Sequence, residues 1–144
     1  MSASDLWEKF DDKRTLGEAL LEPTRIYVKP VLKLMESVAL KGLAHITGGG
    51  LIENIPRVLP DNTCALLERS RWPSLPIFEW LQKNGRIENA EMARTFNCGI
   101  GMVLIVAKES AQGALSALAA MGVEAHHIGE IATREAGAPQ AVVS

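Results

Sequence analysis

Three consecutive glycines, Gly48-Gly49-Gly50, impose the strictest local condition on this chain. They offer no side chain to a core, and they lose more backbone freedom on folding than any other triplet. A loop that carries this cost does so where something approaches its backbone closely or where the turn itself is tight. The flanks give the context. Residues 43–46 read as the end of a strand, and residues 51–55 suit a short helix. A glycine loop feeding a helix presents unpaired N–H groups and the positive end of a dipole, a natural seat for a phosphate. His45, Thr47, Asn54 and Arg57 surround it as polar groups able to bond a ligand. The other reading is a tight strand-to-helix turn that binds nothing, with Asn54 capping the helix and Arg57 paired to an acid. The residue types leave both open.

The rest of the chain divides by its punctuation. Residues 1–22 are polar and read as a leading segment. It carries a short helix near residues 15–21 and is pinned by Trp7 or Phe10. Residues 23–144 read as the main domain. Pro23, then Tyr27, Val31, Leu34, Met35 and Val38 at helical spacing, predict an extended or one-turn piece followed by a helix over residues 29–39, closed by Gly42. Pro56 and Pro60 hold the helix after the glycine loop to one or two turns. Residues 63–68 read as a strand that offers Cys64, Leu66 and Leu67 to the core. Pro76–Gly85 has a proline in its first turn and a glycine at its end, the pattern of a complete helix. Residues 89–96 form another short helix or turn. Residues 103–107 are the most hydrophobic strand and read as a central one. Residues 110–121 follow as a helix with Leu115, Leu118 and Ala119 facing in and Gly122 as its cap. Residues 123–131 return as a strand, and residues 141–143 as a last short one. Strands and helices therefore mix, which predicts an α+β (α/β sandwich) fold with a mixed sheet and helices packed on one face.

Bulk properties exclude several classes. The formal charge is −2 and no basic run exceeds two residues, so nucleic acid is not the expected partner. No apolar stretch approaches the roughly 18 residues of a membrane span. The opening residues lack a signal-peptide pattern. Cys64 and Cys98 are far apart, form no metal quartet, and read as reduced thiols of a cytoplasmic protein. Gly99-x-Gly101 precedes a strand rather than following one, so it is not a dinucleotide fingerprint. It reads as a tight turn into that strand, with Phe96 and Asn97 at a possible site edge. His126 and His127 are adjacent and, in a strand, face opposite ways, so they do not chelate one metal together. No metal site is expected from the sequence.

Four stretches in order resemble the aminoimidazole ribonucleotide synthetase (phosphoribosylformylglycinamidine cyclo-ligase) family. They are Leu20-Leu21-Glu22-Pro23-Thr24-Arg25-Ile26-Tyr27-Val28-Lys29, His45-Ile46-Thr47-Gly48-Gly49-Gly50, Glu53-Asn54-Ile55-Pro56-Arg57-Val58-Leu59-Pro60, and Met92-x-Arg94-Thr95-Phe96-Asn97-Cys98-Gly99-Ile100-Gly101-Met102. The resemblance implies a purine-biosynthesis ligase that uses ATP and magnesium to close the imidazole ring of formylglycinamidine ribonucleotide, releasing ADP and phosphate. It implies a cytoplasmic homodimer with the active site in a cleft between an N-terminal and a C-terminal domain. It implies that this chain holds only the C-terminal part, without the domain that holds most of magnesium–ATP and without the C-terminal domain's opening strand and helix. The isolated chain is then expected to be inactive, with an exposed sheet edge where that strand belongs. By the same resemblance, His45 is the catalytic candidate. Thr47, Gly48, Gly49, Gly50, Asn54 and Arg57 are candidates for the substrate's phosphate or a phosphate in transfer, and Gly49→Val is expected to harm binding with little loss of fold. The alternatives are another ATP-using member of the same superfamily, or a non-catalytic phosphate- or nucleotide-binding module.

Overall fold

The structure, a computed structural model, describes residues 3–144. It is α+β, as the sequence predicts, with its strands in two sheets. Strand β1 (Leu40–His45) pairs antiparallel with β3 (Met102–Val106) as a two-stranded ribbon. Strand β2 (Thr63–Leu67) is the centre of a mixed three-stranded sheet. It runs antiparallel to β4 (Gly129–Thr133) and parallel to β5 (Ala141–Val143).

The helices start where local chemistry lets them. In α1 (Leu16–Leu20), Thr15 and Glu18 form a reciprocal capping box. The Glu18 carboxylate accepts from the Thr15 N–H at 2.8 Å, and this bond with the Thr15 hydroxyl holds its carboxyl below the usual glutamate value. Helix α2 (Val28–Met35) takes Pro30 in its first turn, where the missing N–H costs nothing and no kink is needed. It ends at Met35 rather than at residue 39, so Gly42 does not close it. Gly42 instead lies within β1 at a register shift, where an added Cβ would meet Ile105 Cδ1 at 3.0 Å. Helix α4 (Pro76–Gly85) matches its predicted span, but its left-handed cap is Arg86 at φ 51°, one residue past the glycine. Helices α3 (Gly50–Asn54), α5 (Asn89–Thr95) and α6 (Ala111–Ala120) complete the set.

Two apolar clusters hold these elements. Ala44, Ile46, Leu51, Ile55, Ala65, Leu67, Trp72, Val103 and Ala141 form the larger one. Leu34, Ala114 and Leu118 anchor the second, against α2 and α6. Trp72 ties the first cluster to the turn before β3. Its indole N–H donates to the Cys98 carbonyl at 3.0 Å, and the Arg69 guanidinium lies 4.9 Å from its ring centre.

Several expectations shift by one face or one partner. In β2 the buried pair is Ala65 and Leu67, while Leu66 is exposed. Cys64 is buried as expected. In α6, Ala114 takes the inward place expected of Ala119, which is exposed. Trp7 is 80% exposed and pins nothing. Among the described residues, strand β3 has a neighbour on one side only, so it is not central in this structure. The predicted strand over residues 123–131 begins only at Gly129, leaving His126 and His127 outside it. His126 sits 3.4 Å from Glu124, and His127 lies 3.3 Å from Arg71.

A candidate site at the glycine loop

The loop between β1 and α3 takes conformations that only glycine accepts easily. Gly49 has φ 95° and Gly50 has φ 55°. Gly50 is also buried against α5. A Cβ there would stand 2.2 Å from the Ala93 carbonyl oxygen and 2.7 Å from that of Phe96. The triplet therefore has a packing reason: it lets α3 and α5 approach backbone to backbone.

Asn54 holds the loop from inside. It is 5% exposed, and its side-chain amide donates to the carbonyls of Gly50 at 2.8 Å, Gly48 at 3.1 Å and Thr47 at 3.4 Å. Its side-chain oxygen accepts from Arg57 at 3.1 Å. Asn54 is thus a strut and not an anion clamp, because its donors are spent on the loop's own carbonyls. Arg57 remains exposed, but it leans on Asn54 and does not line the cleft described below. Replacing Asn54 by alanine is expected to cost about 1–3 kcal/mol, the penalty of leaving buried acceptors unpaired. A urea-unfolding midpoint equal to that of the parent chain would contradict this role.

The phosphate-seat reading meets a local obstacle. Helix α3 is one short turn, and its first turn already carries Glu53. The Glu53 carboxylate lies over Gly49, where an added Cβ would meet Glu53 Oε2 at 2.6 Å. Its other oxygen is 3.7 Å from Arg94. Arg94 also binds Glu91 at 2.8 Å, and Thr95 donates to Glu91 at 2.8 Å. The Arg94 and Thr95 bonds hold the Glu91 carboxyl below its usual value. The loop's positive end thus faces an internal carboxylate and its counter-ion. The geometry also overturns the mild expectation for Gly49→Val. A β-branched residue at φ 95°, pressed on Glu53, strains the fold as well as the loop.

What the loop does present is a cleft of about 300 Å3. His45, Ile46, Thr47 and Gly48 form one wall, and Phe78, Thr95, Phe96 and Asn97 the other, with Thr24 at the rim. Stretches that are far apart in sequence therefore meet here, including the expected site edge at Phe96 and Asn97. Gly49, Gly50, Asn54 and Arg57 stand behind the cleft and support it. The His45 ring is exposed and packs edge-on to Tyr27, with centroids 5.9 Å apart. Tyr27 in turn presses its hydroxyl on Gly101, where a Cβ would stand 2.0 Å from the oxygen. Phe78 and Phe96 lie 6.2 Å apart at a tilt of 58°. The Asn97 side-chain oxygen accepts from the Gly99 N–H at 3.0 Å and fixes the turn into β3.

Thr24, Phe78 and Thr95 escaped the sequence reading. Phe78 sits at a helix position that reads as core, and neither threonine stands in a spacing that marks a site. Cys98 is a buried thiol, donating to the Met92 carbonyl at 3.4 Å, and burial pushes its pKa up. Among the described residues, no three His, Cys, Asp or Glu side chains gather to hold a metal ion.

An exposed histidine, a glycine-shaped loop and two aromatic rings thus line one cleft of an α+β domain. The chain belongs to the AIR synthase related protein, C-terminal domain family, whose model matches residues 1–141. It is 55% identical over 139 residues to the phosphoribosylformylglycinamidine cyclo-ligase of Cupriavidus pinatubonensis, covering 96% of this chain and 39% of that protein. The proteins of the same name from Chromobacterium violaceum and Neisseria gonorrhoeae are 51% and 49% identical over 135 and 140 residues. Those matches cover 94% and 97% of this chain, and 39% and 41% of the relatives. The chain thus spans well under half the length of these relatives.

Proposed function

We propose that this chain is the C-terminal part of an ATP-dependent ligase that closes the imidazole ring of formylglycinamidine ribonucleotide in purine biosynthesis, giving ADP and phosphate. The observation that carries this reading is the cleft: residues 45–48 and 95–97 close on one space in a chain whose relatives bear that enzyme's name. In this reading ATP activates the formyl oxygen, and an internal nitrogen then closes the ring.

This chain's share is to bind and orient. His45 sits at the mouth of the cleft, where it orients the substrate or moves a proton during ring closure. Thr47 and the Gly48 backbone offer hydrogen-bond partners, while Phe78 and Phe96 supply an apolar wall that keeps water off the reacting end. The described residues provide no metal-ligand set. Magnesium and most ATP contacts are assigned in this reading to the part of the full-length protein that this chain does not span. The proposal includes a homodimeric, cytoplasmic full-length enzyme and residues 23–144 as its domain core. No helix among the described residues is long and apolar enough to cross a membrane.

The test compares the 144-residue chain alone with a chimera in which it replaces the matched region of the Cupriavidus relative. With formylglycinamidine ribonucleotide and ATP, the chimera is expected to release ADP in step with ring closure. The chain alone is expected to release none. Turnover by the chain alone, or a folded chimera that makes no product, would overturn the proposal.

A further inference from the structure

His45 stands at the mouth of the cleft with little to hold its ring. The residue is exposed, and among the described residues no hydrogen bond or ion pair reaches the imidazole. Pairing with Met102 at the end of β1 fixes its backbone alone. A side chain so placed has several staggered rotamers open to it, whereas orienting a substrate or moving a proton needs one of them.

One contact selects among these rotamers. The Tyr27 ring lies edge-on to the imidazole, with 5.9 Å between centroids and 67° between planes. Aromatic pairs attract at this separation and tilt, the positive edge of one ring meeting the negative face of the other.

Tyr27 is itself held at both ends. Its carbonyl accepts from the Val31 N–H at 3.0 Å, which ties its backbone to the first turn of α2, where Val31 and Leu34 are buried. Its hydroxyl lies against Gly101. A Cβ there would stand 2.0 Å from the hydroxyl oxygen and 3.0 Å from the ring carbon that bears it. The φ of Gly101 is outside the left-handed region, so its own backbone asks for no glycine. The room that Tyr27 takes is what asks for one. The Gly101 carbonyl also accepts from the Ile46 N–H at 2.9 Å, next to His45. The seat of Tyr27 and the backbone of His45 therefore belong to one end of the β1–β3 ribbon. Tyr27 does not line the cleft. With Gly101 it lines a neighbouring groove of about 350 Å3, so it meets the imidazole from outside the cleft.

We infer that Tyr27 is a positioning residue for ring closure: seated on Gly101, its ring holds the His45 imidazole in the orientation that serves the cleft. This role rests on the part proposed above for His45, through which Tyr27 acts. The ring carries it and the hydroxyl does not, since the ring meets His45 while the hydroxyl lies against Gly101.

The test uses the chimera with the Cupriavidus relative, read as kcat, KM and unfolding midpoint. Tyr27→Leu is expected to lower kcat about tenfold and to leave KM for formylglycinamidine ribonucleotide within about twofold, the split that follows when orientation is lost and a substrate contact is not. Tyr27→Phe keeps the ring and is expected to rescue kcat to within about twofold of the parent chimera. Gly101→Ala is expected to lower kcat as Tyr27→Leu does, because the new Cβ displaces the ring. Adding Tyr27→Phe to Gly101→Ala is expected to recover most of that loss. With the oxygen gone, the nearest ring atom is 3.0 Å from the Cβ, a contact relieved by a shift of a few tenths of an ångström. Such non-additivity marks direct coupling of the two positions. In the 144-residue chain, the His45 ring-proton resonances are expected to move in Tyr27→Leu and to hold their place in Tyr27→Phe. If Tyr27→Leu does not fold, the Gly101→Ala pair decides.

The positioning role is overturned by a folded Tyr27→Leu chimera with kcat within about twofold of the parent, by an equal loss in Tyr27→Phe, or by a Gly101→Ala loss that Tyr27→Phe does not relieve. His45→Gln in the same chimera separates the two levels. If His45→Gln lowers kcat and Tyr27→Leu does not, the positioning role alone falls. If His45→Gln leaves kcat unchanged, the role of His45 falls and that of Tyr27 with it.

Discussion

Gly50→Ala is expected to destabilise the chain by about 2–5 kcal/mol, the sum of a left-handed backbone penalty and a forced separation of two packed helices. Gly50 sits at φ 55°, and the added carbon would overlap the carbonyl oxygens of Ala93 and Phe96. Both are backbone atoms of one short helix and its cap, so no side-chain rotation relieves the overlap. Either α3 and α5 move apart, opening the cluster around Leu51, or the loop refolds and withdraws Thr47 and Gly48 from the cleft. Gly48→Ala is the matched control. Nothing lies within 4 Å of its added Cβ, and its φ is not in the left-handed region, so its stability is expected to stay within about 0.5 kcal/mol of the parent. Urea unfolding checks both. A Gly50→Ala midpoint equal to that of Gly48→Ala would mean that the α3–α5 approach is not what the triplet serves.

The sequence carries two kinds of information. Local signals transfer well. Thr15 and Glu18 announce α1, Pro76 announces α4, and the triplet announces the turn before α3. The α+β class is legible too, whereas the meeting of His45 with Phe96 and Asn97 in one cleft is seen only in three dimensions. Misplaced features are those that a neighbour decides. Gly42 ends no helix because α2 stops at Met35 and β1 needs a close approach to Ile105. Leu66 and Ala65 exchange burial because the face of β2 is set by packing around Leu67 and Ala141. Asn54 and Arg57 read as anion binders from residue type alone. Only three dimensions show that the Asn54 amide is spent on the carbonyls of residues 47, 48 and 50. The strand character of residues 123–128 and the central character of β3 read plainly from the sequence, yet among the described residues no strand forms before Gly129 and β3 pairs with β1 alone.

The site also divides by function. Gly49, Gly50, Asn54 and Arg57 form a scaffold, and Glu53 with Arg94 neutralises the loop's charge from behind. The front of the loop, His45 with Thr47 and Gly48, meets the second wall. Of these, His45 alone carries a side chain of the kind that general acid–base chemistry uses. It stands at the end of β1, opposite Met102 in register, with Tyr27 edge-on to its ring. Backbone pairing fixes where the ring starts, and the aromatic contact limits where it turns.

His45→Gln in the Cupriavidus chimera tests the central claim most directly. Glutamine keeps a polar group at the mouth of the cleft but moves no proton at neutral pH. The account predicts that kcat for ring closure falls about 10²–10⁴-fold while KM for formylglycinamidine ribonucleotide changes little, with the unfolding midpoint unmoved. A kcat within twofold of the parent chimera would contradict it, and would place the chemistry away from this cleft.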